Sequence, residues 1–142
     1  MIKRNIVEKC IAWQQNKFLY PFAHVLLAFL AMEIPKQVVF GKNVRFVHRA
    51  PGIVIHPNVT IEDNVQIYQN VTIGLSKPWL SARGGNCQKK AILGAGCKVL
   101  FQDDLVIGEG TVIGANSVLL CSTGENEIWA GIPARCVGKM ND

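Results

Sequence analysis

Several signatures that assign a function to other proteins are missing from this chain of 142 residues. It contains no Cys-x-x-Cys motif, and the spacings of its five cysteines match no zinc-binding pattern. No run of Lys or Arg exceeds two residues, and aromatic residues do not alternate with basic ones. We therefore expect no bound metal and no nucleic-acid partner.

The cysteines also form an odd number, which favours free thiols in a reducing cytosol over a disulfide framework. A cysteine nucleophile is an alternative, but no local motif supports it. On this evidence we expect a cytoplasmic protein.

A hydrophobic run long enough to cross a membrane is also missing. The most apolar stretch, residues 18–32, is too short to span a bilayer comfortably, and it contains Pro21 and His24. We interpret it as a helix that packs on the body of the protein or at a subunit contact. The alternative is a peripheral contact of residues 1–32 with the inner face of the membrane. That alternative is supported by the upstream cations Lys3, Arg4, Lys9 and Lys17.

Charged residues are few: 18% of the chain, against 49% hydrophobic residues. This composition is typical of a folded globular protein, and the length fits one compact domain. The net charge of +5 suits an anionic partner such as a membrane surface or a polyanionic cofactor.

A six-residue repeat organises most of the chain. Six is not a multiple of the helical period of 3.6, so a single helix cannot keep the repeated residues on one face. Six is a multiple of the strand period, which predicts short β segments with a corner in every repeat. The repeat is marked by Ile55, Ile61, Ile67, Ile73, Leu93, Val99, Ile107, Ile113 and Leu119.

Asn or Gly stands three residues after seven of the apolar residues, Phe40 among them, and each of these positions is predicted to be a corner. These residues best tolerate a positive φ angle, which a tight corner requires. The corner positions are Asn43, Asn58, Asn64, Asn70, Gly96, Gly110 and Asn116. The pattern predicts an all-β solenoid of roughly four three-sided coils over residues 36–122, with its aliphatic side chains pointing inward.

Other segments depart from the repeat. Residues 2–32 are predicted to be helical, and Pro35 ends that region. We therefore divide the chain into an N-terminal helical region at 1–35 and a solenoid domain at 36–142. Residues 75–86 are predicted to project as a functional loop, because a loop backbone inside the stack would lack hydrogen-bond partners. A turn-rich C-terminal tail follows the last marker.

The order of several short motifs resembles the hexapeptide-repeat acyltransferases. The motifs are GIVI (52–55), VTIG (71–74), GAG (94–96), IGANSV (113–118) and GIPA (131–134). The resemblance covers residues 33–139 and is strongest to the serine acetyltransferase branch, including its relatives in polysaccharide biosynthesis. It implies a left-handed parallel β-helix, a homotrimer, and acetyl-CoA bound in the groove between neighbouring subunits.

The resemblance also implies two catalytic residues. The family's catalytic histidine lies seven residues after the glycine of an early repeat, and a carboxylate lies eight residues before that glycine. With Gly41 as the glycine, these residues are His48 and Glu33. His48 would deprotonate the acceptor hydroxyl and later protonate the CoA thiolate, while Glu33 orients the imidazole ring. A turn histidine and an ordinary exposed carboxylate are the alternatives.

The resemblance further assigns residues to the coenzyme. In the family, backbone amides and small residues of the later coils line the pantetheine arm. The tetrahedral oxyanion of the reaction also needs donors, and backbone N–H groups near Gly74 or in the 75–86 loop are the candidates. Lys98, Arg135 and Lys139 are candidates for the phosphates, with a solvated basic tail as the alternative. The full set is Gly74, Gly94, Ala95, Gly96, Lys98, Gly114, Ala115, Asn116, Ser117, Gly131, Pro133, Ala134, Arg135 and Lys139.

The acceptor is predicted to be a hydroxyl of a small-molecule or lipid-linked sugar. Serine acetyltransferases carry an aspartate, suited to the ammonium of serine, where this chain has Val47, and their second histidine has no counterpart after His56. Trp79 in the loop offers an apolar face for a pyranose ring, and Arg83 is a candidate partner for a carboxylate. Serine O-acetylation is the first alternative, and a non-catalytic scaffold is the second.

Overall fold

The computed structural model describes residues 5–76, 84–102 and 104–140. Two α-helices, α1 (Ile6–Gln14) and α2 (Tyr20–Phe29), precede the strands, and a short 3-10 helix spans Val47–Arg49. The strands are β1 (Val39–Phe40), β2 (Arg45–Phe46), β3 (Val54–Ile55), β4 (Val59–Ile61), β5 (Gln66–Ile67), β6 (Thr72–Leu75), β7 (Gly85–Cys87), β8 (Ile92–Leu93), β9 (Lys98–Phe101), β10 (Leu105–Ile107), β11 (Val112–Ile113), β12 (Val118–Leu119), β13 (Glu127–Gly131) and β14 (Ala134–Lys139).

The first twelve strands wind through three sheets in strict rotation. Sheet 1 has the order β1-β4-β7-β10, sheet 2 continues β2-β5-β8-β11 with β13 and β14, and sheet 3 has the order β3-β6-β9-β12. All pairings among these twelve strands are parallel. Each coil therefore contributes one strand to every sheet, which confirms the predicted four-coil solenoid.

The repeat markers line the inside of the coils. In sheet 3, Ile55 pairs with Ile73, Ile73 with Val99, and Val99 with Leu119. All four side chains are at most 1% exposed. Burying one such side chain contributes about 1.5–3 kcal/mol, so each coil is stabilised mainly by its neighbours in the stack.

Positive φ angles confirm most of the predicted corners, and these lie on two edges of the prism. The confirmed positions are Asn43, Asn64, Asn70, Gly96, Gly110 and Asn116. The prediction for Asn58 was wrong: it lies between sheets 3 and 1 and is not among the described residues with positive φ. Lys90, with φ of +59°, was missed because neither Asn nor Gly marks its corner between sheets 1 and 2.

The interruption of the repeat is shorter than predicted. Leu75 belongs to β6, and Gly85 and Asn86 belong to β7, so the boundaries 75–86 were too wide. The repeat resumes at Cys87, which is buried in register between Ile61 and Ile107. It was not counted as a marker because the sequence pattern relied on aliphatic residues.

The N-terminal region is a pair of short helices and not one long helical segment. Asn5 caps α1, with its side chain accepting from the Glu8 N–H while the Glu8 carboxylate accepts from the Asn5 N–H. The Gln14 side chain at the end of α1 donates to the Ile34 carbonyl over 2.7 Å. The Asn5 amide donates to the Phe46 carbonyl over 2.9 Å, which ties α1 to the first coil.

The C-terminal tail forms an antiparallel hairpin that sequence analysis did not predict. Strand β13 pairs in parallel with β11 and in antiparallel with β14, so the hairpin extends sheet 2 past the last coil. The turn between its strands contains Gly131, with φ of +100°, and a cis Ile132–Pro133 bond.

Candidate active site

His48 lies on an unusual turn between sheets 2 and 3 of the first coil. Three consecutive residues without a glycine have positive φ: +55° at His48, +63° at Arg49 and +41° at Ala50. Each such residue costs on the order of 1–3 kcal/mol, and strain of this kind concentrates at functional sites. Ala50 is fully buried while His48 and Arg49 are exposed, so the turn is anchored at one end and presents the imidazole to solvent.

The ring beside His48 belongs to Tyr68 of the second coil. Phe46 pairs with Ile67, which places the residues that follow these two strands next to each other along the stack. The Tyr68 and His48 ring centroids are 6.1 Å apart, with the rings tilted by 66°. An edge-to-face arrangement of this kind restricts the orientation of the imidazole. Sequence analysis missed Tyr68, because no repeat marker or motif distinguishes it.

Glu33 is fixed by its backbone at the start of sheet 3. Its N–H donates to the Ile53 carbonyl over 2.8 Å, and its carbonyl accepts from the Ile55 N–H over 2.9 Å. It bridges to Val54 in parallel, so its exposed side chain lies beside a segment that begins five residues after His48. Within the described residues, no hydrogen bond joins the Glu33 carboxylate to the His48 ring. Its orienting role stays a prediction.

Half of the residues predicted to bind the coenzyme lie along the same edge as His48. We call this the 2–3 edge: the stacked turns from sheet 2 to sheet 3, at residues 47–53, 68–71, 94–97 and 114–117. The strands that enter these turns are in register through the stack. Adjacent strands are about 4.8 Å apart, so the turn at 114–117 lies about 14 Å from the His48 turn.

Two glycines of the predicted set have opposite surroundings. A Cβ on Gly94 would lie 2.6 Å from the Ile113 carbonyl oxygen and 2.8 Å from the Ala115 nitrogen, so the stacked coils themselves require this glycine. A Cβ on Gly74 would meet only a Thr72 methyl group, at 3.9 Å. Packing within the described residues therefore does not explain why a glycine stands at position 74.

Other members of the set stabilise the fold. Ser117 is buried, and its hydroxyl accepts from the Gly131 N–H over 3.1 Å, which joins the last coil to the hairpin. Ala134 is also buried, whereas Pro133 is exposed in the hairpin turn. Ala115 and Asn116 are exposed on the 2–3 edge.

The three predicted phosphate partners occupy different places. The Lys98 ammonium donates to the Asn70 carbonyl over 2.8 Å, beside the 2–3 edge. The Arg135 guanidinium donates to the Ala134 carbonyl over 3.0 Å. Lys139 lies at the far end of β14, opposite Glu127, whose pKa is lowered by the Trp129 indole N–H, by the Gly124 N–H and, to a smaller extent, by this lysine. The structure therefore does not gather these cations into one cluster.

A second unusual group on the 2–3 edge is Gln69. Its Oε1 atom is buried and has no hydrogen-bond partner among the described residues, while its backbone carbonyl accepts from the Gly96 N–H. His56, by contrast, is occupied: its Nδ1 accepts from the Asn58 N–H over 3.2 Å, and its ring lies edge-on to the buried Phe101 at 5.6 Å. No motif or repeat marker distinguishes Gln69 in the sequence.

Burial argues against a nucleophilic role for two of the cysteines. Burial raises the pKa of Cys97 to about 12 and also raises the pKa of Cys87, so neither thiol is poised as a nucleophile. In residues 5–76, 84–102 and 104–140, no three His, Cys, Asp or Glu side chains are grouped to hold a metal. Trp79 and Arg83 lie outside the described residues.

Comparisons with known proteins point to one branch. The chain is 35% identical to a serine acetyltransferase of Salmonella typhimurium over 76% of its own length and 38% of the relative. It superimposes on the crystal structure of a serine acetyltransferase from Brucella abortus with a TM-score of 0.79 and 27% identity, over 94% of this chain and 56% of that one. A Brucella abortus serine acetyltransferase in complex with coenzyme A matches at 0.76 and 28% identity, over 92% and 53%. No protein-family model matches.

The chain spans about half or less of the length of these relatives. The structural match confirms the predicted left-handed parallel β-helix. Similarity to polysaccharide O-acetyltransferases, which the motifs also suggested, is not shown. The fold, the order of the motifs and the sequence identity together place the chain in the serine acetyltransferase-like branch of the hexapeptide-repeat acyltransferases.

Proposed function

We propose that the chain is an acetyl-CoA-dependent O-acetyltransferase with His48 as its general base. The observation that carries this proposal is the position of His48, exposed on a strained turn at the foot of the 2–3 edge. The small residues predicted to line the coenzyme continue along that same edge. The complex of a Brucella abortus relative with coenzyme A supports the same donor for this chain.

His48 supplies the proton transfers of the reaction. The neutral imidazole takes the proton of the acceptor hydroxyl as its oxygen attacks the thioester carbonyl, which gives a tetrahedral intermediate. When the carbon–sulfur bond breaks, the imidazolium returns the proton to the leaving thiolate, so the products are an acetyl ester and free CoA thiol. Histidine suits both transfers because it is the side chain that most readily takes and gives a proton near neutral pH.

Gly74 fits the role of a close-contact residue for the donor. Position 74 has no side chain, and the only described atom within 4 Å of an added Cβ would be a Thr72 methyl carbon. An acyl group can therefore approach the backbone at this position. Backbone N–H groups near this glycine are our candidates for binding the oxyanion. The net charge of +5 favours the phosphates of the donor even without a cationic cluster.

We also propose a homotrimer, in which the groove between subunits holds the donor. The exposed apolar residues Val54, Leu120, Ile132 and Val137 lie on the β-helix and its hairpin, where a neighbouring subunit would cover them. Sedimentation equilibrium at micromolar concentration should give three times the monomer mass of 15.6 kDa. A stable monomer that retains activity would contradict the trimer.

Serine is the acceptor that the relatives support best. The Salmonella typhimurium relative and both Brucella structures are serine acetyltransferases, and the resemblance extends over most of this chain. We therefore place O-acetylation of serine ahead of the sugar acceptor that the sequence alone favoured. An unpaired ammonium costs several kcal/mol at a specific site, so this proposal requires a partner for the amine.

A sugar hydroxyl is the second candidate because of Val47. This half-buried side chain, next to His48, cannot pair with an ammonium ion. The Tyr68 ring beside His48 offers an apolar surface on which a sugar ring can pack. A sugar requires no charged partner, whereas serine does.

One assay separates the candidates. Purified protein is incubated with radiolabelled acetyl-CoA and, in parallel, with serine, nucleotide sugars and lipid-linked sugars. A kcat/KM for serine of roughly 10⁴ M⁻¹s⁻¹ or more assigns a serine acetyltransferase. Transfer to a sugar with poor use of serine assigns the second candidate. Failure to bind acetyl-CoA in calorimetry contradicts both and leaves a non-catalytic scaffold.

A further inference from the structure

Helix α2 presents an uncovered apolar face to solvent. Phe18, just before the helix, is 83% exposed, Phe22 70%, Val25 68% and Phe29 86%. Their spacing of four, three and four residues places them on one face of a helix. With Trp13 of α1 contributing to its wall, this face borders an open apolar groove of about 600 Å³. Apolar patches of this extent mark interaction sites on soluble domains.

Positively charged side chains border this apolar face. Residues 18–32 contain no charged side chain, and Lys17 directly precedes Phe18. The Lys36 ammonium lies 5.7 Å from the centre of the Tyr20 ring at the start of α2. Apolar residues and aromatic rings bordered by lysines are the composition of a helix that lies in a lipid interface.

The dimensions of the helix exclude a spanning role for it. Helix α2 has ten residues, about 15 Å in length, against about 30 Å for the hydrocarbon core of a bilayer. No helix in the described part of the chain is long and apolar enough to cross a membrane. A second copy of the chain is a poorer occupant, because a two-fold contact through this face would bring Lys17 and Lys36 of both copies together.

We propose that the α2 face docks the protein onto an anionic lipid surface. Phe18, Phe22 and Phe29 enter the interface, and Lys17 and Lys36 lie at the level of the headgroups. The inference does not depend on the acceptor, since the 2–3 edge is outside this face.

Vesicle co-sedimentation of the whole chain tests the proposal. The probes are vesicles of phosphatidylcholine alone and vesicles with about 30% phosphatidylglycerol, at low and at physiological salt. We expect binding to the anionic vesicles, with a loss of about tenfold or more in the double variant Phe22→Gln/Phe29→Gln. Lys17→Glu/Lys36→Glu should weaken binding to anionic vesicles and reduce its salt dependence.

Val39→Gln is the matched control, because Val39 is 58% exposed on β1 and lies outside the α2 face. It should bind vesicles like the parent chain, and circular dichroism should show that all variants are folded. Equal binding by the phenylalanine variant and the parent would overturn the proposal. An absence of vesicle binding would also overturn it. If the phenylalanine variant instead lowers the oligomeric mass, the face joins two copies of the chain and does not bind lipid.

Discussion

The turn at 47–53 and its counterparts higher on the 2–3 edge connect the same two sheets in different ways. The turns at 68–71, 94–97 and 114–117 each contain one residue with positive φ, which is Asn70, Gly96 or Asn116. The first turn has four such residues, three of them consecutive and none of those three a glycine. Repetition is thus kept in the upper turns, and it is broken where His48 is presented.

The difference indicates what each kind of turn costs. Asn and Gly accept a left-handed conformation at little cost, so the upper turns leave the stack unstrained. His48, Arg49 and Ala50 do not, and the buried Ala50 and the neighbouring coil must hold them in place. Changes in the first turn should therefore lower the rate of the reaction, whereas a strained upper turn should lower the stability of the stack.

The largest effect is expected at the first turn. Replacing His48 with alanine should lower kcat by a factor of about 10²–10⁴, because the general base is removed. Calorimetry should show that acetyl-CoA still binds. The control is His24→Ala, which removes an exposed histidine on α2 and should transfer acetyl groups normally. Near-normal turnover by His48→Ala would remove the catalytic role from this turn.

Gly94 and Gly74 should separate stability from activity. Gly94→Ala forces a Cβ against the backbone of the next coil, so we expect the free energy of unfolding in urea to fall by about 1–3 kcal/mol. Gly74→Ala should unfold within about 0.5 kcal/mol of the parent chain, yet lose acetyl transfer, because the space over its strand is filled. A stable Gly94→Ala variant, or a fully active Gly74→Ala variant, would contradict this division.

A smaller loss is expected at Glu33. Glu33→Gln removes the charge that is predicted to orient the imidazole ring but leaves the base in place, so kcat should fall only about fivefold. Glu125→Gln, an exposed carboxylate far from the 2–3 edge, provides the matched control. An unchanged rate would show that Glu33 only pairs its backbone with sheet 3.

The smallest effect concerns the neighbouring edge, between sheets 1 and 2. Lys90 has φ of +59° where Asn43, Asn64 and Gly110 occupy the equivalent corners. Lys90→Asn should therefore raise the free energy of unfolding by about 0.5 kcal/mol. Its exposed ion pair with Glu109 contributes little and will not mask the gain. Lys89→Asn, without a positive φ to relieve, should give no such gain.

The coils could be predicted from the sequence because they depend on local, repeated requirements. An inward aliphatic residue and a left-handed corner recur along the repeats, and each requirement selects a residue type that can be recognised in the sequence. The hairpin of β13 and β14 could not be predicted in this way, since its strands are specified by pairing with the last coil. Cys87 was missed because the pattern relied on aliphatic residues. The core position requires only a side chain of suitable size, and a thiol fills it as an aliphatic residue does.

The residues of the candidate site also differ in whether the sequence alone could identify them. His48 and Glu33 were found through the resemblance, by their distance in sequence from Gly41. Tyr68 was not, because it reaches the first turn only through the stacking of one coil on another, and no motif distinguishes Gln69. The occupation of Ser117 and Lys98 by backbone partners likewise depends on contacts between coils. Such contacts between coils produce no recognisable spacing in the sequence, so they could not be predicted from it.

The two ends of the β-helix have a consequence for assembly. Each coil offers its unpaired strand edges to the next, so an uncovered end would add foreign strands as readily as its own. At one end, Glu33 pairs with β3 and the Asn5 side chain binds the Phe46 carbonyl. At the other, β14 reverses direction and ends the parallel order of sheet 2. These caps prevent unlimited addition of strands, so the particle has a fixed length. A chain cut before residue 127 lacks the second cap and is expected to form fibres.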